Sequence, residues 1–558
     1  MLSSKQSVRD LVEICALKGI RHIVISPGSR NAPLTISFNE HGGFNTYCIH
    51  DERCAGFFAL GIAQQLDEPV AICCTSGSAC LNYAPAIVEA YYQRIPILVL
   101  TADRPEEWID HGEGQSIRQK DIFANYIEHS AHLDSNLVDD TTGINAKIID
   151  ETINKAMSLN GPVHINLPFA EPLYELKEYN EPLPIVSDVE VKESELDLDV
   201  LTEEWKSSKK KMILCGLLKK DDKLNHFLEL LSADSSVTVL TENTSNLNHR
   251  NFNHCLDRSL AAITEDKIKE YQPDLLVTLG HSIISKRIKG FLRNSDVKHH
   301  WNFNPNGKEV DTFRKLTKTI SANPVKVFKH LTNNIEKSVV GTFNKKWKHL
   351  DYLTQEKHLK FLQNAPFSDL KTYGLILDFL PDGVNLQMGN SACVRYLNLF
   401  DPYNTVIYNS NRGVSGIDGC TSTALGAAWV NDKQTVLVSG DVSFLYDSNA
   451  LWIENQNPNL RMIVVNNSGG GIFRFIDGPS KTNQLEKFFE AKHQTELSHL
   501  SKAYNINYGK AQNEEELIKE LEQFFQPSEN NRPKILEIFT PREENDKVLK
   551  AYFGSLKG

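Results

Sequence analysis

No CxxC pair occurs among the ten cysteines, and their spacing is irregular. That removes the usual basis for a zinc ribbon or a disulfide framework. The adjacent Cys73 and Cys74, inside the apolar run VAICCTSG, read instead as buried thiols in a reducing compartment. No apolar run approaches the roughly 20 residues that a membrane-spanning helix needs, and the opening MLSSKQSVRDLVEIC carries no hydrophobic signal segment. A cytoplasmic protein without membrane association is expected. Positive charge is also in short supply. The net charge of −11 argues against a nucleic-acid partner, so any anionic ligand must be gripped by a local cluster of cations. Neither an HExxH motif nor a Ser-His-Asp set is evident. What remains is an ordinary globular composition, 41% hydrophobic and 23% charged, in a chain of 558 residues, too long for one core.

The patterning is α/β throughout. Ser7 is placed to cap a first helix that Gly19 ends. RHIVISPGSR, VAICCTSG and IPILVLTADRP each read as a strand running into a polar loop, and HDERCAGFFALGIAQQL as a helix after a short strand. This β-α-β rhythm predicts a doubly wound parallel sheet. Residues 180–205, with Pro182, Pro184 and the acidic EVKESELDLDVLTEE, suit a solvated linker. A second α/β pattern follows, with strands in KKMILCGLL, SSVTVLTENT and PDLLVTLGHS, and a Lys-rich helix over 340–364 leads out of it. The third supplies strands in VNLQMGNS, TVIYNS, TVLVSGD, RMIVVNN and KILEIF. The expectation is three doubly wound parallel-sheet domains, over 1–180, 190–345 and 366–558.

Two loops at predicted strand ends carry the sharpest chemistry. TVLVSGD ends on Asp441, and RMIVVNN runs through Asn467 into a glycine run that begins at Gly469. Ligands of open parallel sheets bind at the carboxyl ends of strands, and a carboxylate, an amide oxygen and a backbone carbonyl are hard donors suited to Mg²⁺ with a diphosphate. The plainer account is two ordinary strand-end turns, where Asp, Asn and Gly are common. In HDERCAGFF, Glu52 heads an apolar helix. Helix capping explains an acid there; a carboxylate that hydrogen-bonds a cofactor ring in apolar surroundings explains it more sharply. Cationic and polar residues recur at other strand ends: Ser29 and Arg30, Arg104, Gln115, Lys286 and Arg287, Ser391 and Arg395, and Arg412. Singly each reads as a surface residue; together they suit carboxylate recognition.

The Asp441 and Asn467 loops resemble the GDG…NN signature of thiamine diphosphate (ThDP) enzymes, departing from it at Val442, where many members have glycine. With SPGSRNAPL, HDERCAGFFALG, TADRPEE, GEGQSIRQ and SNRGVSGIDG, both outer thirds resemble the MenD family, the 2-succinyl-5-enolpyruvyl-6-hydroxy-3-cyclohexene-1-carboxylate synthases of menaquinone biosynthesis. Through the middle third the resemblance rests mainly on Ser285-Lys286-Arg287. It implies a transferase that decarboxylates 2-oxoglutarate and adds the succinyl carbanion to isochorismate. The first domain would hold the cofactor's pyrimidine and the third its diphosphate. Glu52 would activate the cofactor. Ile417 would prop it in a bent form, and Ser443 would join the cofactor contacts. Asp441, Asn467 and Gly469 would hold Mg²⁺ or Mn²⁺. Ser29, Arg30, Arg104, Gln115, Lys286, Arg287, Ser391, Arg395 and Arg412 would line the substrate pocket, with Ile472 and Phe473 as its apolar wall. Arg395 and Arg412 are assigned to the succinyl carboxylate, and the cations of the first two domains to isochorismate. A homodimer or homotetramer is implied, because Glu52 and the metal site of such enzymes come from different subunits. The alternative is another ThDP-dependent 2-oxo acid decarboxylase or carboligase.

Overall fold

Continuous apolar runs become strands covered on both faces. Val70–Cys74 and Ile97–Asp103 are buried at every residue, as are Lys211–Cys215, Leu275–Leu279 and Leu460–Asn466. The computed structural model describes residues 1–134, 143–180, 182–189, 196–336, 341–454, 456–476 and 478–557. Residues 190 and 558, two of the expected domain limits, and part of the expected linker lie outside the described residues. The chain divides into two units, Met1–Val191 with Asn411–Thr435 and Ser443–Leu460, and Lys192–Ser410 with Val436–Val442 and Arg461–Gly558.

The first unit holds a six-stranded parallel sheet ordered Asn45–Cys48, His22–Ile25, Val70–Cys74, Ile97–Asp103, Val163–Pro168, His129–His132. The helix Glu52–Leu66 packs against the helix Cys420–Trp429. Glycines permit the close approach: a Cβ on Gly61 would lie 2.1 Å from the Thr423 carbonyl oxygen, and one on Gly426 2.0 Å from that of Phe58.

The second unit contains two sheets. One is parallel and five-stranded, ordered Val237–Thr241, Lys211–Cys215, Leu275–Leu279, His299–Phe303, Lys318–Ile320. The other is six-stranded, ordered Ile407–Asn409, Asn385–Met388, Thr435–Gly440, Leu460–Asn466, Lys534–Phe539, Asn507–Ala511. Three parallel sheets flanked by helices are thus present, as the rhythm of the sequence predicts. The Lys-rich stretch forms the helix Phe343–Asn364, which grips the terminal helix Arg542–Leu556. Lys357 Nζ donates to the carbonyls of Leu556 and Lys557 at 3.2 and 3.3 Å, and His358 Nδ1 lies 2.8 Å from Tyr552 Oη.

Ser7 does not cap the first helix. That helix is Gln6–Leu17, its N-cap is Lys5, and no side chain caps it. Among the described residues no helix is long and apolar enough to cross a membrane.

Candidate active site

Asp441 and Asn467 follow neighbouring strands of one sheet, and their loops meet. The buried Asp441 carboxylate accepts the Val442 N–H at 2.7 Å through Oδ1 and the Gly469 N–H at 2.9 Å through Oδ2. His493 Nε2 lies 3.1 Å from the same Oδ2, within ion-pair reach but off the line of a hydrogen bond. This proximity raises the His493 pKa above its ordinary value. The loop is bent by Ser468 at φ +63° and Gly469 at φ +152°. Only glycine fits at 469, since a Cβ there would sit 2.7 Å from the Glu490 carbonyl oxygen.

Asn467 is held by its nitrogen. Nδ2 donates to Asp369 Oδ2 at 3.0 Å, which leaves Oδ1 buried and without a hydrogen-bond partner. An orphaned buried acceptor is costly. Beside a carboxylate and a carbonyl it forms an oxygen donor set that fits a small hard cation. The Gly469 carbonyl accepts the Gly471 N–H at 2.9 Å and keeps a second lone pair. No group of three His, Cys, Asp or Glu side chains suited to a metal exists among the described residues, so any metal here depends on the amide and carbonyl oxygens.

In the first unit Glu52 opens its helix, but the N-cap is Asp51, whose carboxylate accepts the Cys54 N–H at 3.2 Å. Asp51 supplies the cap, and Glu52 lies in the first turn, where the macrodipole favours an acid; its Oε2 accepts Asn82 Nδ2 at 3.3 Å. Contacts link the loops that carry Arg30, Arg104 and Gln115. The Arg30 N–H donates to Thr75 Oγ1 at 3.3 Å, Arg104 Nη2 donates to the Gly114 carbonyl at 3.1 Å, and Gln115 packs on Gly77. Arg30 is buried, and its Nη1 donates to the Phe169 carbonyl at 2.8 Å and pairs with Glu171 at 3.2 Å. Ser29 and Gln115 are exposed. Arg412 is buried on a loop pinned by Glu89, whose carboxylate accepts the N–H groups of Gly413 and Val414 at 2.6 and 2.8 Å. Burial pushes the Glu89 carboxyl above the usual range. Ser443 Oγ donates to the Ile417 carbonyl at 2.9 Å.

The second unit gathers Lys286, Arg287, Arg395 and Ile472 around a cavity of about 550 Å³ whose other walls include Asp257, Tyr396 and Phe553. Lys286 and Arg287 occupy the first turn of the helix Lys286–Arg293, and Arg395 lies on the helix Ala392–Leu397. Arg395 donates to the Ser391 carbonyl, and burial lowers its pKa. Ser391, at φ +67°, and Phe473 belong to the same unit but do not line this cavity. Sequence reasoning passed over Asp369, Glu89, Asp257 and Phe553. Glu89 alone left a signal, as a carboxylate set in the apolar run APAIVEAYY.

Residues 6–122 match the thiamine pyrophosphate enzyme N-terminal TPP binding domain, and residues 388–538 the corresponding C-terminal TPP binding domain. The chain is 43% identical over 549 residues to the 2-succinyl-5-enolpyruvyl-6-hydroxy-3-cyclohexene-1-carboxylate synthase of Flavobacterium psychrophilum, covering 98% of each chain. It is 43% identical to the synthase of that name from Christiangramia forsetii, again over 98% of each. To the one from Porphyromonas gingivalis it is 38% identical, over 100% of this chain and 98% of the relative. The protein is therefore a ThDP-dependent enzyme and belongs to the 2-succinyl-5-enolpyruvyl-6-hydroxy-3-cyclohexene-1-carboxylate synthase family.

Proposed function

We propose that this protein decarboxylates 2-oxoglutarate and joins the remaining four-carbon unit to isochorismate, a transferase step of menaquinone biosynthesis. The observation that carries the reading is the cavity. A chain of net charge −11 places Lys286, Arg287 and Arg395 around one space of about 550 Å³ with apolar walls. Two dianionic substrates need such a cluster, whereas a monocarboxylate such as pyruvate needs less.

When bound, ThDP supplies a carbon nucleophile for the 2-oxo carbon and a sink for the electron pair left as CO₂ departs. Glu52 would hydrogen-bond the cofactor's pyrimidine nitrogen, Ile417 would support its ring, and Ser443 would add a contact. Asp441, Asn467 Oδ1 and the Gly469 carbonyl would hold Mg²⁺ or Mn²⁺ against the diphosphate. Arg395 and Arg412, with Ser391, would grip the distal carboxylate of 2-oxoglutarate. Lys286, Arg287, Ser29, Arg30, Arg104 and Gln115 would receive isochorismate. Ile472 and Phe473 would keep water from the reacting carbon. The pyrimidine, central and diphosphate domains would be 1–180, 190–345 and 366–558, in a cytoplasmic homodimer or homotetramer.

The test is isochorismate consumption by the purified protein with ThDP, Mg²⁺ and 2-oxoglutarate, with pyruvate in a parallel reaction. Loss of isochorismate only with 2-oxoglutarate is expected. Glu52→Gln should cut turnover by about 10²–10⁴-fold while ThDP still binds. CO₂ release from a different 2-oxo acid, with isochorismate untouched, would make the protein another decarboxylase or carboligase.

A further inference from the structure

One wall of the cavity is the terminal helix Arg542–Leu556, which presents Leu549, Lys550, Phe553 and Gly554 to it. The Arg287 guanidinium carbon sits 4.5 Å from the centroid of the Phe553 ring. We propose that Phe553 is a positioning residue, whose ring holds the Arg287 guanidinium in the orientation that receives a substrate carboxylate. The proposal rests on the reading of this cavity as the substrate pocket.

The location of Arg287 needs an explanation. Lys286 and Arg287 stand in the first turn of a helix, where the macrodipole favours anions, so helix stability does not account for two cations there. The backbone beneath them is firmly set. Glu242 accepts the N–H groups of Ile284 and Ser285, both at 2.7 Å, and Ser285 Oγ caps the helix by accepting the Ile288 N–H at 3.1 Å. Ser285 in turn donates its hydroxyl proton to Asp257, another wall of the cavity. The remaining freedom lies in the long arginine side chain, which has many rotamers to lose on ordering. A ring 4.5 Å from the guanidinium carbon restrains that freedom through cation–π attraction, while the N–H donors turned away from the ring serve a carboxylate.

The platform is itself fixed. Tyr552, next to Phe553, is held through its hydroxyl by His358, and Lys357 ties down the carbonyls of Leu556 and Lys557. The last turn of this helix is therefore anchored. Phe553 also packs on the apolar core of the C-terminal sheet, so a substitution must keep its bulk to test the cation–π contact alone.

The experiment is a double-mutant cycle on the full-length enzyme with ThDP and Mg²⁺, reading KM for each substrate, kcat and the thermal midpoint. Arg287→Ala should raise KM for one substrate by about tenfold or more. Phe553→Leu should raise KM for that same substrate by about three- to twenty-fold, and by more than it lowers kcat. Phe553→Tyr, which keeps the ring, should restore KM to within about twofold of the wild type. In the Arg287→Ala background, Phe553→Leu should add less than about twofold. Phe553→Met replaces the leucine variant if that one fails to fold. An unchanged KM in Phe553→Leu, an equal loss in Phe553→Tyr, or a full additional loss in the Arg287→Ala background would overturn the positioning role while leaving the pocket in place. No change in KM for either substrate in Arg287→Ala would instead remove Arg287 from substrate binding and take the proposal with it.

Discussion

Asn467 owes its orientation to a residue 98 positions earlier in the chain. An amide oxygen and nitrogen are distinguished by their partners, and here the Asp369 carboxylate takes the nitrogen. Asp369 is held on both oxygens: Oδ1 also accepts Thr540 Oγ1 at 2.6 Å and Asn545 Nδ2 at 2.9 Å, and burial pushes its carboxyl up to about 6. Outer-shell partners of a metal ligand typically account for ten- to hundred-fold in affinity. Asp369→Asn puts a donor where an acceptor is needed, so it should weaken Mg²⁺ binding to the ThDP-loaded protein by roughly that factor. Titrating Mg²⁺ against intrinsic fluorescence reads this without turnover; an unchanged midpoint would show that Asn467 holds its pose unaided. Asp441 and Asn467 were legible in the sequence because each follows an apolar run that announces a strand end. Asp369 was not, because Ser-Asp at a helix start reads as a cap. The helix Asp369–Asp378 does begin there, yet no side chain caps it, and the carboxylate is spent on tertiary contacts that local pattern does not encode.

At the scale of elements, the pose of Glu52 depends on how its helix meets Cys420–Trp429. Gly61 and Gly426 let each backbone approach a carbonyl of the other helix. A methyl group at either position must push the helices apart, and overpacking of this kind costs about 1–3 kcal/mol or more. Gly61→Ala and Gly426→Ala should each lower the thermal midpoint. Gly290→Ala, in a helix where a Cβ meets nothing within 4 Å, should be neutral or gain up to about 1 kcal/mol from helix propensity. Equal midpoints for all three would show that the crossing adapts. Strands made of unbroken apolar runs were readable in advance. His129–His132, His299–Phe303 and Asn507–Ala511 were not, since HSAH, HHWNF and NYGKA carry polar residues or glycine, and the first and last of these form sheet edges where one side needs no partner. The return of Asn411–Thr435 and Ser443–Leu460 to the first unit is a long-range outcome with no local signature.

Across the whole molecule, the response to acid sets four buried histidines, among the described residues, against six carboxyls held above their usual range. His164, His254, His300 and His358 are pulled down by desolvation to about 3, 4, 4 and 3. Each ring meets a hydroxyl: Thr101, Thr241, Thr278 and Tyr552, at 2.7, 2.7, 3.0 and 2.8 Å. A hydroxyl satisfies a neutral imidazole without drawing a proton onto it. Below pH 6.5 the unfolded chain takes up protons that the folded one refuses. The stability these groups contribute is therefore fully present above pH 6.5 and is lost as pH falls toward 4, at up to about 1.4 kcal/mol per pH unit for each histidine. Six carboxyls act in the opposite sense. Burial raises Asp447 to about 7 and Asp369 to about 6, and lifts Glu89, Asp103, Asp257 and Asp351 above the usual carboxylate range, so the folded state keeps protons that the unfolded state releases, and their contribution falls as pH rises from 4. The two sets are separated by substitution. His164→Gln should raise the urea midpoint of the cofactor-free protein at pH 5 relative to that at pH 7, compared with the unsubstituted protein, by removing one of the four protonations. An unchanged pH dependence in His164→Gln would mean that this histidine titrates normally. Asp447→Asn should shift the dependence the other way, toward greater loss in acid, and does so only if Asp447 carries a proton in the fold.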